Sequence, residues 1–186
     1  MQNIEYRRFQ NETKPVGNRD VSPVEYIPPT ARFDILVCAI HAGPEKGTGD
    51  IARRIHAACP ENTGLYVHNC AVHVTSAEFH EPLFDIAVRQ YKTVISIHGM
   101  GSRDYIAYIG GRAVPLVKKL RTALGLPINA IPPPHLRGIQ LSNVVNRGSS
   151  GKGVQVEVSL PLLHYCKSLG RCIADQIAAT LLTCRP

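Results

Sequence analysis

The chain has no tryptophan, and aromatic residues of every kind make up only 6% of its 186 residues. Surfaces that bind nucleic acids combine aromatic side chains with clustered basic ones. Here the basic pairs Arg7-Arg8, Arg53-Arg54 and Lys118-Lys119 are scattered, so no nucleic-acid partner is expected. No apolar run approaches the ~20 residues that span a bilayer, and no membrane partner is expected either. Met1 to Asp20 is polar and lacks the apolar centre of a signal peptide. The six cysteines form no C-x-x-C pair, which argues against a zinc knuckle or a dithiol redox motif. Cytoplasmic synthesis with reduced thiols is the resulting expectation. Internal repeats, heptads and low-complexity tracts are also absent.

What is present describes one globular domain. Hydrophobic residues make up 44% and charged residues 19% of the chain, a balance that supports a packed core and argues against disorder. A net charge of +7 favours an anionic partner, either a polymer or a peptide. Residues 1–30 are polar and broken by Pro15, Pro23, Pro28 and Pro29, and read as an N-terminal arm. Residues 31–186 read as the domain, expected to act as a monomer.

Within the domain, strands alternate with helices. Ile35 to Ile40 and Thr93 to Ile97 are β-branched apolar runs with the character of buried strands. Thr48 is placed as an N-cap for a helix through Ile51, Ala52, Ile55 and Ala58. Gly64 to Val74 is β-prone, Pro82 opens a short helix, and Tyr105 to Ile109 is β-prone again. A helix runs from Pro115 to Leu124, Ile131 to His135 is a proline-rich loop, Val154 to Leu160 alternates as a strand, and Leu162 to Leu182 is a terminal helix. This order specifies an α/β fold, with a mixed, mostly parallel sheet flanked by helices on both faces.

Two of the strands stop at a histidine followed closely by glycine: Ile40-His41-Ala42-Gly43 and Ile97-His98-Gly99. In open α/β sheets, ligands bind in the crevice beyond the carboxyl ends of the strands. A hydrolytic zinc site needs about three ligands from His, Asp or Glu and an open position. His41 and Glu45 supply a near pair across a Gly-Pro turn, and His98 supplies the distant ligand. Glu157 is the candidate general base. It alternates with Val156 and Val158, so if those valines face a core it points either to solvent or into a polar site.

The same residues carry a resemblance. Ala39-Ile40-His41-Ala42-Gly43-Pro44-Glu45-Lys46-Gly47-Thr48, Val74-Thr75-Ser76, Glu81-Pro82, Ser96-Ile97-His98-Gly99-Met100 and Gly110-Gly111 resemble the poly-gamma-glutamate hydrolase family. So do Leu136-Arg137-Gly138, Asn143-Val144-Val145-Asn146-Arg147-Gly148 and Gly153-Val154-Gln155-Val156-Glu157-Val158-Ser159. The likeness runs in order from Asp34 to Leu160. It implies a carboxypeptidase-like zinc hydrolase core in which His41, Glu45 and His98 bind Zn2+ and Glu157 is the general base. It also implies that Asn146 and Arg147 hold a substrate carboxylate, through the planar guanidinium fork; Arg137 is a further substrate-binding candidate, expected to stabilise the oxyanion with zinc.

Two motifs depart from the family pattern. His41 and Glu45 stand one residue closer than in the usual His-Gly-Gly-x-x-Glu, and Glu78-Phe79-His80 replaces a His-Phe-Asp run. The second departure leaves His73, Glu78 and His80 as candidate local substitutes. The implied activity is hydrolysis of γ-glutamyl amide bonds in a polyanionic polymer. Small γ-glutamyl peptides or N-acyl amino acids are the alternative substrates, and a catalytically silent polyanion-binding module is the non-enzymatic alternative.

Overall fold

A computed structural model describes residues 24–124, 131–169 and 173–183. Six strands form one sheet in the order β1-β3-β2-β4-β6-β5. They are β1 (Glu25–Ile27), β2 (Ile35–Ala39), β3 (Thr63–Val67), β4 (Thr93–Met100), β5 (Ala107–Gly111) and β6 (Val154–Ser159). The four central strands are parallel, and an antiparallel strand closes each edge. The expected mixed, mostly parallel sheet flanked by helices is the one observed. Glu25–Ile27, within the segment read as an arm, is the edge strand that pairs with β3.

The central strands are buried on both faces, which explains their near-continuous apolar sequences. Val37, Ala39, Ile95, Ile97, Val154, Val156 and Val158 face one core. Ile51 and Ile55 of α1 (Thr48–Ala58), Leu120 of α3 (Val114–Leu124) and Ile177 of α5 (Ile173–Thr183) cover that side. On the other face, Leu36, Cys38, Ile40 and Val94 pack against Phe84 of α2 (Pro82–Ala87), Tyr91, Val144 and Val145. A tyrosine buried there still needs a partner for its hydroxyl. Tyr66 donates to Glu81 at 2.8 Å, and Tyr91 and Tyr26 share a 3.0 Å hydrogen bond.

Two local expectations need correction. Thr48 does not cap α1: its hydroxyl donates to the Glu45 carbonyl at 2.8 Å, and Gly47 occupies the cap position at φ 101°. Glycine takes that left-handed conformation without a Cβ clash. The β-prone stretch from Gly64 pairs only as far as Val67, after which the chain leaves the sheet. Of the terminal helix expected over Leu162–Leu182, the described parts are helical, as α4 (Leu160–Leu169) and α5, and residues 170–172 lie outside the described residues.

Chain order places the site. From β2 the chain crosses to β3 on one side, then returns to β4 on the other. β2 and β4 thus flank the point where strand order reverses, and their carboxyl ends open a crevice there. His41 follows β2 and His98 lies near the end of β4.

Candidate metal centre

His98 is the register partner of Glu157 across β4 and β6. Both therefore stand on the face opposite Ile97, Val156 and Val158, and the alternation puts Glu157 into a buried polar site. His98 and Glu157 are almost fully buried, as is His41. Glu45, on the turn after β2, is the hub. One carboxylate oxygen lies 3.3 Å from His41 Nδ1 and 3.3 Å from His73 Nε2. The other lies 3.6 Å from His98 Nδ1 and accepts the Gly99 N–H at 3.0 Å. His41, Glu45 and His73 present donor atoms that all lie within 4.8 Å of one another.

These spacings suit a metal ion better than a hydrogen-bonded cluster. Ligands about 2.0–2.1 Å from a tetrahedral zinc are about 3.3–3.4 Å apart, longer than a charge-assisted hydrogen bond. Neither ring nitrogen of buried His41 makes a hydrogen bond. An orphaned buried imidazole is costly, and a cation between its nitrogen and Glu45 removes that cost. The donor set therefore fits zinc.

Residues two positions upstream hold two of these side chains. Ser96 Oγ is 2.8 Å from His98 Nε2, with Ser76 Oγ at 3.5 Å, which leaves His98 Nδ1 facing Glu45. Gln155 Nε2 donates to Glu157 Oε1 at 2.7 Å, and Asn143 Nδ2 donates to Gln155 Oε1 at 2.8 Å. Ser96 and Gln155 are not among the expected site residues. The period-2 alternation of a strand puts them on the faces of His98 and Glu157, and that signal could have found them.

Electrostatics separate the two carboxylates. Burial works against ionising Glu45, but its contacts with His41 and His98 and the Gly99 N–H outweigh it, and the carboxyl is held well below the usual range. For Glu157, burial dominates and Glu45's charge adds to it; His98, Gln155 and His41 offset this only in part, so its pKa is raised. Burial alone would depress His98, yet Glu45 and Glu157 overcome it and the imidazole is raised. Cys38, the register partner of Ser96 across β2 and β4, is pushed up to about 12 by burial despite a hydrogen bond with Ser96, so it is an inert thiol.

The remaining expected residues lie elsewhere in the arrangement. Asn146 Nδ2 donates to the Gly138 and Gln140 carbonyls, and its Oδ1 accepts the Gly153 N–H. Arg147 makes five hydrogen bonds: to the Ser142, Phe79, Ser76 and Ala77 carbonyls and to Asp85. A guanidinium has five N–H donors, so the expected carboxylate grip finds Arg147 fully engaged with the protein. Burial lowers the Arg147 pKa, and Asp85 opposes the shift. Arg137 is exposed, with Nε donating to the Pro132 carbonyl at 3.2 Å. Among the local substitutes only His73 reaches Glu45; His80 pairs with Asp85, and Glu78 accepts from Thr75.

An α/β sheet with buried His and Glu donors at its strand-order switch defines a class of fold and site that comparison makes specific. The sequence pattern of the poly-gamma-glutamate hydrolase family matches residues 23–165, and the chain belongs to that family. It is similar to YndL of Bacillus subtilis (strain 168), at 30% identity over 164 residues covering 81% of this chain and 63% of YndL. It is also similar to the SPbeta prophage-derived YoqZ of the same organism, at 28% identity over 74% of this chain and 54% of YoqZ. The chain thus spans less than two-thirds of the length of these relatives. Among solved structures, a bacteriophage poly-gamma-glutamate hydrolase superposes with a TM-score of 0.76 at 21% identity, over 90% of this chain and 91% of that one. The zinc-free apo form of YndL gives 0.68 at 27% identity, over 89% and 91%.

Proposed function

We propose that this protein is a zinc-dependent hydrolase that cleaves γ-glutamyl amide bonds in poly-gamma-glutamate. The observation that carries this reading is the buried His41, its ring nitrogens without hydrogen bonds, set against an ionised Glu45. Family membership and the existence of a zinc-free form of the relative YndL support zinc as the metal. His41, Glu45 and His98 would hold it, with His73 within reach. Bound zinc would supply Lewis acidity, polarising the scissile carbonyl and acidifying water.

The chain's own residues supply the rest. Glu157 is the general base: its raised pKa brings it nearer the working pH, where proton transfer in both directions is efficient. Gln155 holds Oε1 and so presents Oε2 to take a proton from the attacking water and return it to the departing amine. Ser96 holds the His98 ring in its orientation. Arg137 is the cation on the exposed side, suited to the α-carboxylate that each γ-linked unit carries, and the net charge of +7 draws a polyanion in. Asn146 and Arg147 act on this substrate side by fixing the loops that shape it.

The test is loss of poly-gamma-glutamate chain length, followed by gel filtration. Zinc-loaded protein at about one ion per chain, as a single centre requires, is expected to depolymerise the substrate. Full activity after exhaustive chelation refutes the zinc role. Zinc-loaded protein that leaves the polymer intact refutes the substrate.

A further inference from the structure

A hydrolytic zinc centre has three protein ligands and one open position, yet four candidates gather at Glu45: His41, Glu45 and His73, whose donor atoms converge within 4.8 Å, and His98, which meets the other carboxylate oxygen. His41 and His98 are buried, at 2% and 4% exposed, and Glu45 is 11% exposed, whereas His73 is 57% exposed. Its ring lies against His41, with centroids 4.2 Å apart, and turns Nε2 towards the Glu45 oxygen that His41 also approaches. A tilted imidazole pair sharing one carboxylate oxygen is the arrangement of two ligands converging on one ion.

The segment that carries His73 is tied down at both ends and loose between them. At one end the Cys70 carbonyl lies so close to Gly43 that a side chain there would collide with it. At the other, Arg147 binds the Ser76 and Ala77 carbonyls. Residues 71–75 between these anchors are all exposed. A tip of this kind can rearrange while its base stays fixed.

We propose that His73 is a displaceable fourth donor, which closes the metal centre at rest and gives up its position when substrate enters. This rests on the zinc reading above. It assigns to the Cys70–Ser76 segment the task of keeping the centre closed until a γ-linked chain reaches it.

The experiment compares wild type with His73→Ala and His73→Gln by titration of zinc and cobalt(II) against a chromophoric chelator. The visible absorption of the cobalt forms is recorded alongside. Loss of an outer-shell partner already weakens metal binding 10–100-fold, so loss of this donor should weaken it by about tenfold or more and change the cobalt bands. In a Glu157→Gln background, where the oligomer is not consumed, adding a γ-linked glutamate oligomer should shift the cobalt spectrum towards that of His73→Ala. Unchanged affinity and spectrum in His73→Ala overturn the fourth-donor role, and a spectrum indifferent to the oligomer overturns displacement. His41→Ala separates the two levels. If wild type binds neither metal, or His41→Ala binds as tightly as wild type, the zinc reading itself fails and this inference with it. Because residues 71–75 are exposed, the His73 variants should keep wild-type circular dichroism.

Discussion

Arg147 separates a structural clamp from a substrate grip. Replacing it with alanine removes five hydrogen bonds that join the Ser76–Asp85 segment to the turn at Ser142. Three of them are short bonds to carbonyls: Phe79 at 2.6 Å, Ala77 at 2.9 Å and Ser142 at 3.0 Å. The Ser76 and Asp85 contacts, at 3.4 and 3.3 Å, add less, and a partly exposed ion pair contributes little. With roughly 1 kcal/mol net for each short bond, allowing for rehydration of the freed carbonyls, the loss is about 3 kcal/mol. For a chain of this size that lowers Tm by roughly 6–12 °C. Thermal and urea unfolding would read it, with the urea midpoint falling at unchanged m. Arg147→Lys keeps the charge but cannot spread one ammonium over five acceptors, so it should lose at least half as much. A Tm within about 1 °C of wild type in both variants, together with a raised KM, would refute the clamp and restore the carboxylate grip.

Three further outcomes follow from the site and the core. Glu157→Gln should lower hydrolysis by about 10²–10⁴-fold while keeping zinc stoichiometry, and an equally active variant removes Glu157 from catalysis. Ser96→Ala frees the His98 ring and should weaken zinc binding by about 10–100-fold, measured by chelator competition; unchanged affinity would show that Ser96 does not hold the ring. His56 is depressed by burial, opposed in part by the Thr63 carbonyl and the charge of Glu25. Its folded value lies below its unfolded one, so its contribution is complete above pH ~6.5 and is lost as pH falls through the folded value. Wild-type stability should therefore fall more steeply than that of His56→Gln on acidification, by at most about 1.4 kcal/mol per pH unit. Parallel stability curves would show that His56 titrates alike folded and unfolded.

What could be read in the sequence follows the range of the interaction concerned. The β-branched runs before His41 and His98 locate both imidazoles, because a central parallel strand must be apolar on both faces and any polar residue at its end stands out. Those same two buried faces left Glu157 undecided: alternation in Val154–Ser159 separates the faces but does not say which one meets water. The polar cover that resolves it comes from Asn143 and Leu136, which reach Gln155 from outside the strand. Arg147 was harder still. An Asn-Arg dipeptide on a Gly-rich loop suggests a free guanidinium, yet four of its five acceptors lie 62 to 71 residues away. They are mostly backbone carbonyls, whose positions no residue type records. His73 shows the same limit from the opposite direction. It lies on a stretch β-prone by composition, yet the chain leaves the sheet after Val67, passes Cys70 over Gly43 where a Cβ has no room, and brings the imidazole to Glu45. The candidate ligands were thus legible wherever a strand carries them, while the proposed fourth donor depends on a loop path set by its anchors.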